Sequence, residues 1–177
     1  HVGLSKSYFG NSEIAAGYWW IGETVRLHPN NVEAGYLFGE ISLLAGEPSK
    51  ALGQANVLIS NGQDNLRSRT IRAAALEKLE RFDDAREAYE QIIETFPGNA
   101  KGYILYSSFL AHRGEAAASL MNLKLATEKA PSFDSWIALV NYLVDDPTKG
   151  EEDVLASLKE ASRYANAPQL QRANRML

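Results

Sequence analysis

An all-α solenoid of stacked antiparallel helix pairs is the fold class this sequence predicts, on three observations. Apolar residues at helical spacing alternate with short polar breaks along nearly the whole chain. Marks of three kinds recur every 34 residues: Ala51, Ala85 and Ser119 as small residues on second helices; Gly46, Glu80 and Gly114 at inner turns; and Pro29, Gln63, Pro97 and Pro131 at outer breaks. All three share one register, and a helix–turn–helix unit of that length is the mark of an α-solenoid. One helix pair cannot bury its apolar face alone, so successive pairs stack and share a core. The small residues let the second helix approach the first, and large residues fill the remaining gaps.

The elements follow in order. Residues 1–10 read as an incomplete first helix with Val2, Leu4, Tyr8 and Phe9 as its apolar positions, and Asn11-Ser12-Glu13 as a turn and helix start. The next helix runs to about His28 and stops before Pro29-Asn30-Asn31. Its Trp19 and Trp20 point about 100° apart on a helix, so they cannot share one narrow seam. One of them is expected to pack upstream or to stand out as an aromatic anchor. Further helices are predicted from Glu33 to Leu44, Pro48 to Ile59, Asn65 to Leu79, Asp83 to Thr95, Lys101 to His112 and Ala116 to Lys129. The last two run from Ser135 to Val144 and from Glu151 to Ala165, flanking an unusual turn at Asp145 to Gly150. Here the phase breaks, with Ser119 and its counterpart Ser157 lying 38 apart. The repeats are therefore about 1–31 (partial), 32–65, 66–99, 100–133 and 134–168 of a single domain, with 169–177 opening another helix. The chain opens on His1 and stops inside a helical pattern, which reads as a piece of a longer protein.

Composition narrows the function. The chain has 177 residues, 45% hydrophobic and 23% charged, as a folded domain requires. A net charge of −4 gives no footprint for nucleic acid. No cysteine is present, so disulfides, cysteine zinc sites and thiol nucleophiles are excluded together, and an oxidising compartment is permitted. No apolar run approaches the ~18 residues of a membrane span, so direct membrane insertion is not expected. His1, His28 and His112 are scattered, and no phosphate loop, nucleophile elbow or calcium loop occurs. Asp145-Asp146 with Glu151-Glu152-Asp153 reads as an acidic helix start rather than a cation site. The expectation is a protein that is not an enzyme, with no cofactor and no metal.

The copy from Ala100 carries Tyr103, Tyr106, Ser107, Leu110, Ser119, Leu123 and Pro131. The copy from Leu66 carries Ala85, Tyr89, Ile92 and Pro97, and the copy from Val32 carries Gly35, Phe38, Gly39, Ala51 and Ala55 without a closing proline. This resembles the tetratricopeptide-repeat pattern W-x2-L-G-x2-Y, A-x3-F, P over about residues 12–168. The copy at Leu66 departs from it, with Arg69 and Arg72 where large apolar residues are usual. Two guanidiniums there must either snorkel past Ala73 and Ala74 to solvent or find acidic partners.

The resemblance implies a right-handed superhelix whose first helices line a concave groove holding a peptide, a helix or a partner protein. Carried to this sequence, the groove residues are Glu33, Tyr36, Glu40, Leu43, Arg67, Thr70, Ala74, Glu77, Lys101, Ile104, Ser108, His112, Ala138 and Tyr142. A ligand would lie along Tyr36, Ile104 and Tyr142. The Lys/Asn/Arg clamp of the family's chaperone-binding members is not supplied at the corresponding positions. The implied role is a non-catalytic scaffold, with a bacterial envelope, secretion or exopolysaccharide-export assembly as one home. That leans towards the periplasm over the cytoplasm. Self-association through Trp19 and Trp20 as a homodimer, or a regulatory domain of a larger enzyme, are the alternatives.

Overall fold

The computed structural model describes residues 14–145, 150–166, 168 and 169. Among these, nine helices and no strand occur. They are α1 (Ile14–Leu27), α2 (Val32–Leu44), α3 (Pro48–Ser60), α4 (Leu66–Lys78), α5 (Phe82–Thr95), α6 (Ala100–His112), α7 (Ala116–Lys129), α8 (Phe133–Asp145) and α9 (Glu151–Arg163). Each lies within two residues of the expected span at either end. The helix expected at 1–10, the start signal at 11–13, most of the turn after Asp145 and the helix opening near the C-terminus lie outside the described residues. Two compact units divide inside α5, one reaching Ile92 and the other starting at Ile93.

Asparagine starts the helices in the same register as the other marks. Asn31, Asn65 and Asn99 each stand in extended conformation just before α2, α4 and α6. Each side-chain oxygen accepts an otherwise orphaned backbone N–H, that of Ala34 at 3.0 Å, Arg67 at 3.0 Å and Lys101 at 3.0 Å. Before α8 this job passes to serine: Ser132 Oγ accepts from Ser135 N, and Ser135 Oγ accepts from Ser132 N. The inner turns also repeat. Gly46, Glu80 and Gly114 adopt φ of 74°, 58° and 77°. The N–H of each following residue reaches back to a carbonyl one turn up: Glu47 to Ser42, Arg81 to Leu76 and Glu115 to Leu110. That left-handed closure satisfies the helix end and turns the chain into its mate helix.

In the first unit, α2 packs on α1, on its mate α3 and on α4, while α3 also packs on α4. Contact between first helices of successive pairs is the stacking a solenoid needs. Ala51 and Ala55 on α3 are fully buried against Tyr36, Leu58, Ile71 and Ala75. A Cβ placed on Gly39 would lie 3.0 Å from Ile71 Cγ2, so this glycine sets how closely α2 and α4 approach. Ile21, Ala34, Leu37 and Ile41 join α1 to α2. On α5, Ala85 is fully buried, and Tyr89 donates its hydroxyl to Glu77 on α4 at 2.8 Å.

The second unit repeats the plan, with α6 on α7 and α8, α7 on α8, and α8 on α9. Tyr103 packs on Ala126 and Ala130, and Leu123 on Leu139 and Leu143. Phe133, Ile137 and Val140 meet Leu158 and Ala161, and Trp136 touches both of the last two clusters. At the α6–α7 crossing two small polar residues meet. Ser107 and Ser119 lie 2.7 Å apart through their hydroxyls, and Ser107 also donates to the Ser119 carbonyl. Mutual pairing makes these buried hydroxyls tolerable. The out-of-phase Ser157 is buried too, its hydroxyl donating to the Asp153 carbonyl.

Glu80 alone among the three inner-turn residues carries a Cβ at positive φ. Glu80→Gly is expected to raise stability by about 0.5–1 kcal/mol, read as a higher urea midpoint at unchanged slope. Gly39→Leu is expected to lower it by about 1–3 kcal/mol in the same assay, because even a Cβ there lies 3.0 Å from the buried Ile71 side chain.

Candidate functional site

The residues expected to form a groove are treated differently in the two units. In the first, four of them turn on one another. Arg67 donates through Nε and Nη2 to the two carboxylate oxygens of Glu40 at 2.7 and 2.8 Å, and through Nη1 to Glu33 at 2.8 Å. Its guanidinium stacks 4.5 Å above the Tyr36 ring. The Glu40 carboxylate, followed by Glu33, holds the Arg67 charge well above the usual arginine range. Tyr36 is buried, and its hydroxyl accepts from Asn65 Nδ2. The forked geometry is favourable, but the three charged side chains remain 34–45% exposed. The network therefore contributes on the order of 1 kcal/mol, more in ordering the surface than in stability.

The other predicted residues of this unit are similarly engaged. Thr70 is buried with its hydroxyl on the Arg67 carbonyl, Leu43 packs on the core around Ala51, and Ala74 is half-buried. Glu77 accepts the Tyr89 hydroxyl, and burial first, then this carboxylate, pushes Tyr89 well above the usual tyrosine range. Arg69 and Arg72 resolve separately. Arg69 clamps Asp64 in the turn just before its own helix, at 2.6 and 2.8 Å, while Arg72 is exposed. Among the described residues, neither is paired with an acidic group across the stack. The reason is local: Asp64 sits five residues back, where the chain enters α4, within reach of the Arg69 fork.

In the second unit the corresponding helices leave open space. A cleft of about 670 Å³ lies between α6 and α8, its lining including the apolar Ile104, Leu105, Ile137 and Ala138 and the polar Lys101, Lys129, Asp134 and Asn141. A second cavity of about 240 Å³ adjoins it through Ile104, Ala138 and Asn141. Its walls are Ser107, Ser108, Ala111, Ser119, Leu123 and Tyr142. Tyr142 is fixed there by donating its hydroxyl to the Ala116 carbonyl at 2.9 Å. Of the predicted residues in this unit, Lys101, Ile104, Ser108, Ala138 and Tyr142 line one or both spaces, and His112 lines neither. The sequence reading missed Lys129, Asp134 and Asn141. Lys129 comes from the end of a second helix and also meets Glu128 at 2.8 Å. A rule restricted to first helices does not reach it, although the Pro131 break marks where that helix turns back.

Trp19 and Trp20 touch edge to face, with ring centroids 4.9 Å apart, and Trp19 is 58% exposed while Trp20 is half-buried. Glu151, Glu152 and Asp153 occupy the first turn of α9 and are exposed. Among the described residues, no group of acidic and histidine side chains is placed to hold a metal, and no helix is long and apolar enough to cross a membrane.

Comparison with known proteins adds to this geometry. Residues 66–109 match the tetratricopeptide-repeat family model. No curated protein matches the chain in sequence. Among solved structures, the thermophilic TPR protein TTC0263 of Thermus thermophilus is 17% identical over 98% of this chain and 95% of its own, with a TM-score of 0.68. A tetratricopeptide-repeat protein from Parabacteroides merdae is 13% identical over 97% of this chain and 67% of its own, at 0.72. YrrB, described as a TPR protein with an unusual peptide-binding site, is 15% identical over 98% and 90%, at 0.54. At these identities the likeness is one of fold.

The Arg69–Asp64 clamp gives a pH signature. Arg69 holds the Asp64 carboxyl below the usual aspartate range, so its contribution is present above that range and lost as pH falls through the depressed value. Asp64→Asn is expected to lower stability by a few tenths to about 1 kcal/mol at neutral pH. The gap to the parent should narrow in urea melts as pH falls through that depressed value.

Proposed function

On a chain that carries a tetratricopeptide repeat at residues 66–109 and folds as tetratricopeptide-repeat proteins do, we propose that the α6–α8 cleft receives a peptide or helical segment of a partner protein. The observation that carries this is the open cleft lined by the first helices of two successive repeats. Its volume of about 670 Å³ falls within the range of about 300–1,000 Å³ typical of binding pockets, and its lining mixes apolar with polar side chains. The equivalent positions of the first unit are taken up by the Arg67 network. Non-catalytic scaffolding is the role such repeats generally perform. A bacterial envelope assembly, such as secretion or polysaccharide export, is the setting we propose for this chain, with which its lack of cysteine is compatible.

A second reading is favoured by one observation. Trp19 exposes more than half its surface beside Trp20, which suits self-association. A concentration-dependent sedimentation coefficient that Trp19→Ser abolishes would support a homodimer built there.

The cleft is tested by selecting displayed random dodecapeptides on this chain and measuring the winners against Ile104→Ser. Loss of about tenfold or more in affinity, with helicity and melting temperature retained, is the expected result. Winners indifferent to Ile104→Ser and to Ala138→Glu would remove the cleft as the site.

A further inference from the structure

We infer that Arg67 is an ionic latch: in dilute salt it fastens the first turn of α4 to α2, and rising ionic strength releases that turn while the two helices stay packed. Glu33, Tyr36 and Glu40 follow one another at i, i+3 and i+7, so they share one face of α2. Arg67 stands in the first turn of α4 and reaches all three. Its Nη1 donates to Glu33 at 2.8 Å, its Nε and Nη2 to Glu40 at 2.7 and 2.8 Å, and its guanidinium covers the Tyr36 ring. One guanidinium therefore bridges carboxylates two helical turns apart on the neighbouring first helix.

The latch acts where a helix opens most easily. N–H groups of a first turn have no partner within the helix, and those of Arg67 and Ser68 are held by Asn65 Oδ1 at 3.0 and 3.3 Å. Asn65 Nδ2 donates in turn to the Tyr36 hydroxyl, so the cap of α4 is itself anchored on α2. Two links thus converge on the start of α4 from one stretch of α2. The link through Arg67 is ionic, and the link through Asn65 is neutral.

Exposure separates the latch from the packing beneath it. Tyr36 is buried with Ala51, Ala55, Leu58, Ile71 and Ala75, and Gly39 meets Ile71 closely. Screening does not weaken these apolar contacts. The side chains of Arg67, Glu33 and Glu40 are 34%, 45% and 41% exposed, so dissolved ions reach them. The screening length falls from about 10 Å at 0.1 M salt to about 3 Å at 1 M. Salt also screens the Arg69–Asp64 pair, but that pair ties α4 to the turn before it and not to α2. The released state is accordingly a frayed first turn on an intact pair of helices.

Residue-resolved amide hydrogen exchange on the whole chain tests the latch, in about 0.02 M and about 1 M sodium chloride. The start of α6, capped by Asn99 on the Lys101 N–H, is the internal standard. Exchange at Arg67 and Ser68 should rise about two- to fivefold in high salt relative to that standard, with the melting temperature kept. Arg67→Gln should exchange fast at both salt concentrations, and Glu40→Gln, which removes the fork at nearly constant volume, should do the same. Asp64→Asn should retain the salt response. A start of α4 that responds to salt no more than the start of α6 would overturn the latch. So would Arg67→Gln and Glu40→Gln chains that keep the parent's protection in dilute salt. A response that disappears in Asp64→Asn would overturn it in favour of the local Arg69–Asp64 pair.

Discussion

The close crossing of paired helices at Ala51, Ala85 and Ser119 is the constraint from which the rest follows. Each stands on the second helix of its pair and is essentially without solvent exposure. A larger side chain there would push the second helix outward and open the core it shares with the next pair. The same economy appears between pairs, where Gly39 lets α2 approach Ile71 of α4. Where the crossing residue is serine, a second serine answers it, and the Ser107–Ser119 contact keeps the hydroxyls paired instead of stranded.

Because the backbone plan is so regular, function can differ between units through side chains alone. Glu33, Tyr36, Glu40 and Arg67 occupy first-helix positions that would face a ligand, yet their charges and ring complement one another, so they close on themselves. Ile104, Ser108 and Ala138 are smaller or uncharged and have nothing to reach for, so space remains between α6 and α8. Opposite charges on adjacent first helices seal the surface, whereas small and apolar residues leave it open.

The turns show a similar division between register and residue. Gly46 and Gly114 suit the left-handed turn, and Glu80 is carried into the same conformation by its neighbours. The turn is closed by the Arg81 N–H on the Leu76 carbonyl and spanned by the Tyr89–Glu77 bond, which together hold one glutamate in a conformation that costs about 1 kcal/mol. The asparagines at 31, 65 and 99 were as readable as the prolines, since an N-cap needs a short acceptor side chain at a fixed offset from the helix.

By itself the sequence determined the helix boundaries, the repeat register and the helical-pair fold. These depend on short-range rules of capping, turn chemistry and apolar spacing, all of which lie along the chain. It also marked most of the side chains on the first-helix faces. Only the tertiary structure decided which of those are available. Arg67 finds Glu33 a full repeat away and Arg69 finds Asp64 next door, and spacing alone does not distinguish the two cases. Whether a face is closed or open depends on which charges meet across stacked helices, and that is a property of three-dimensional neighbours.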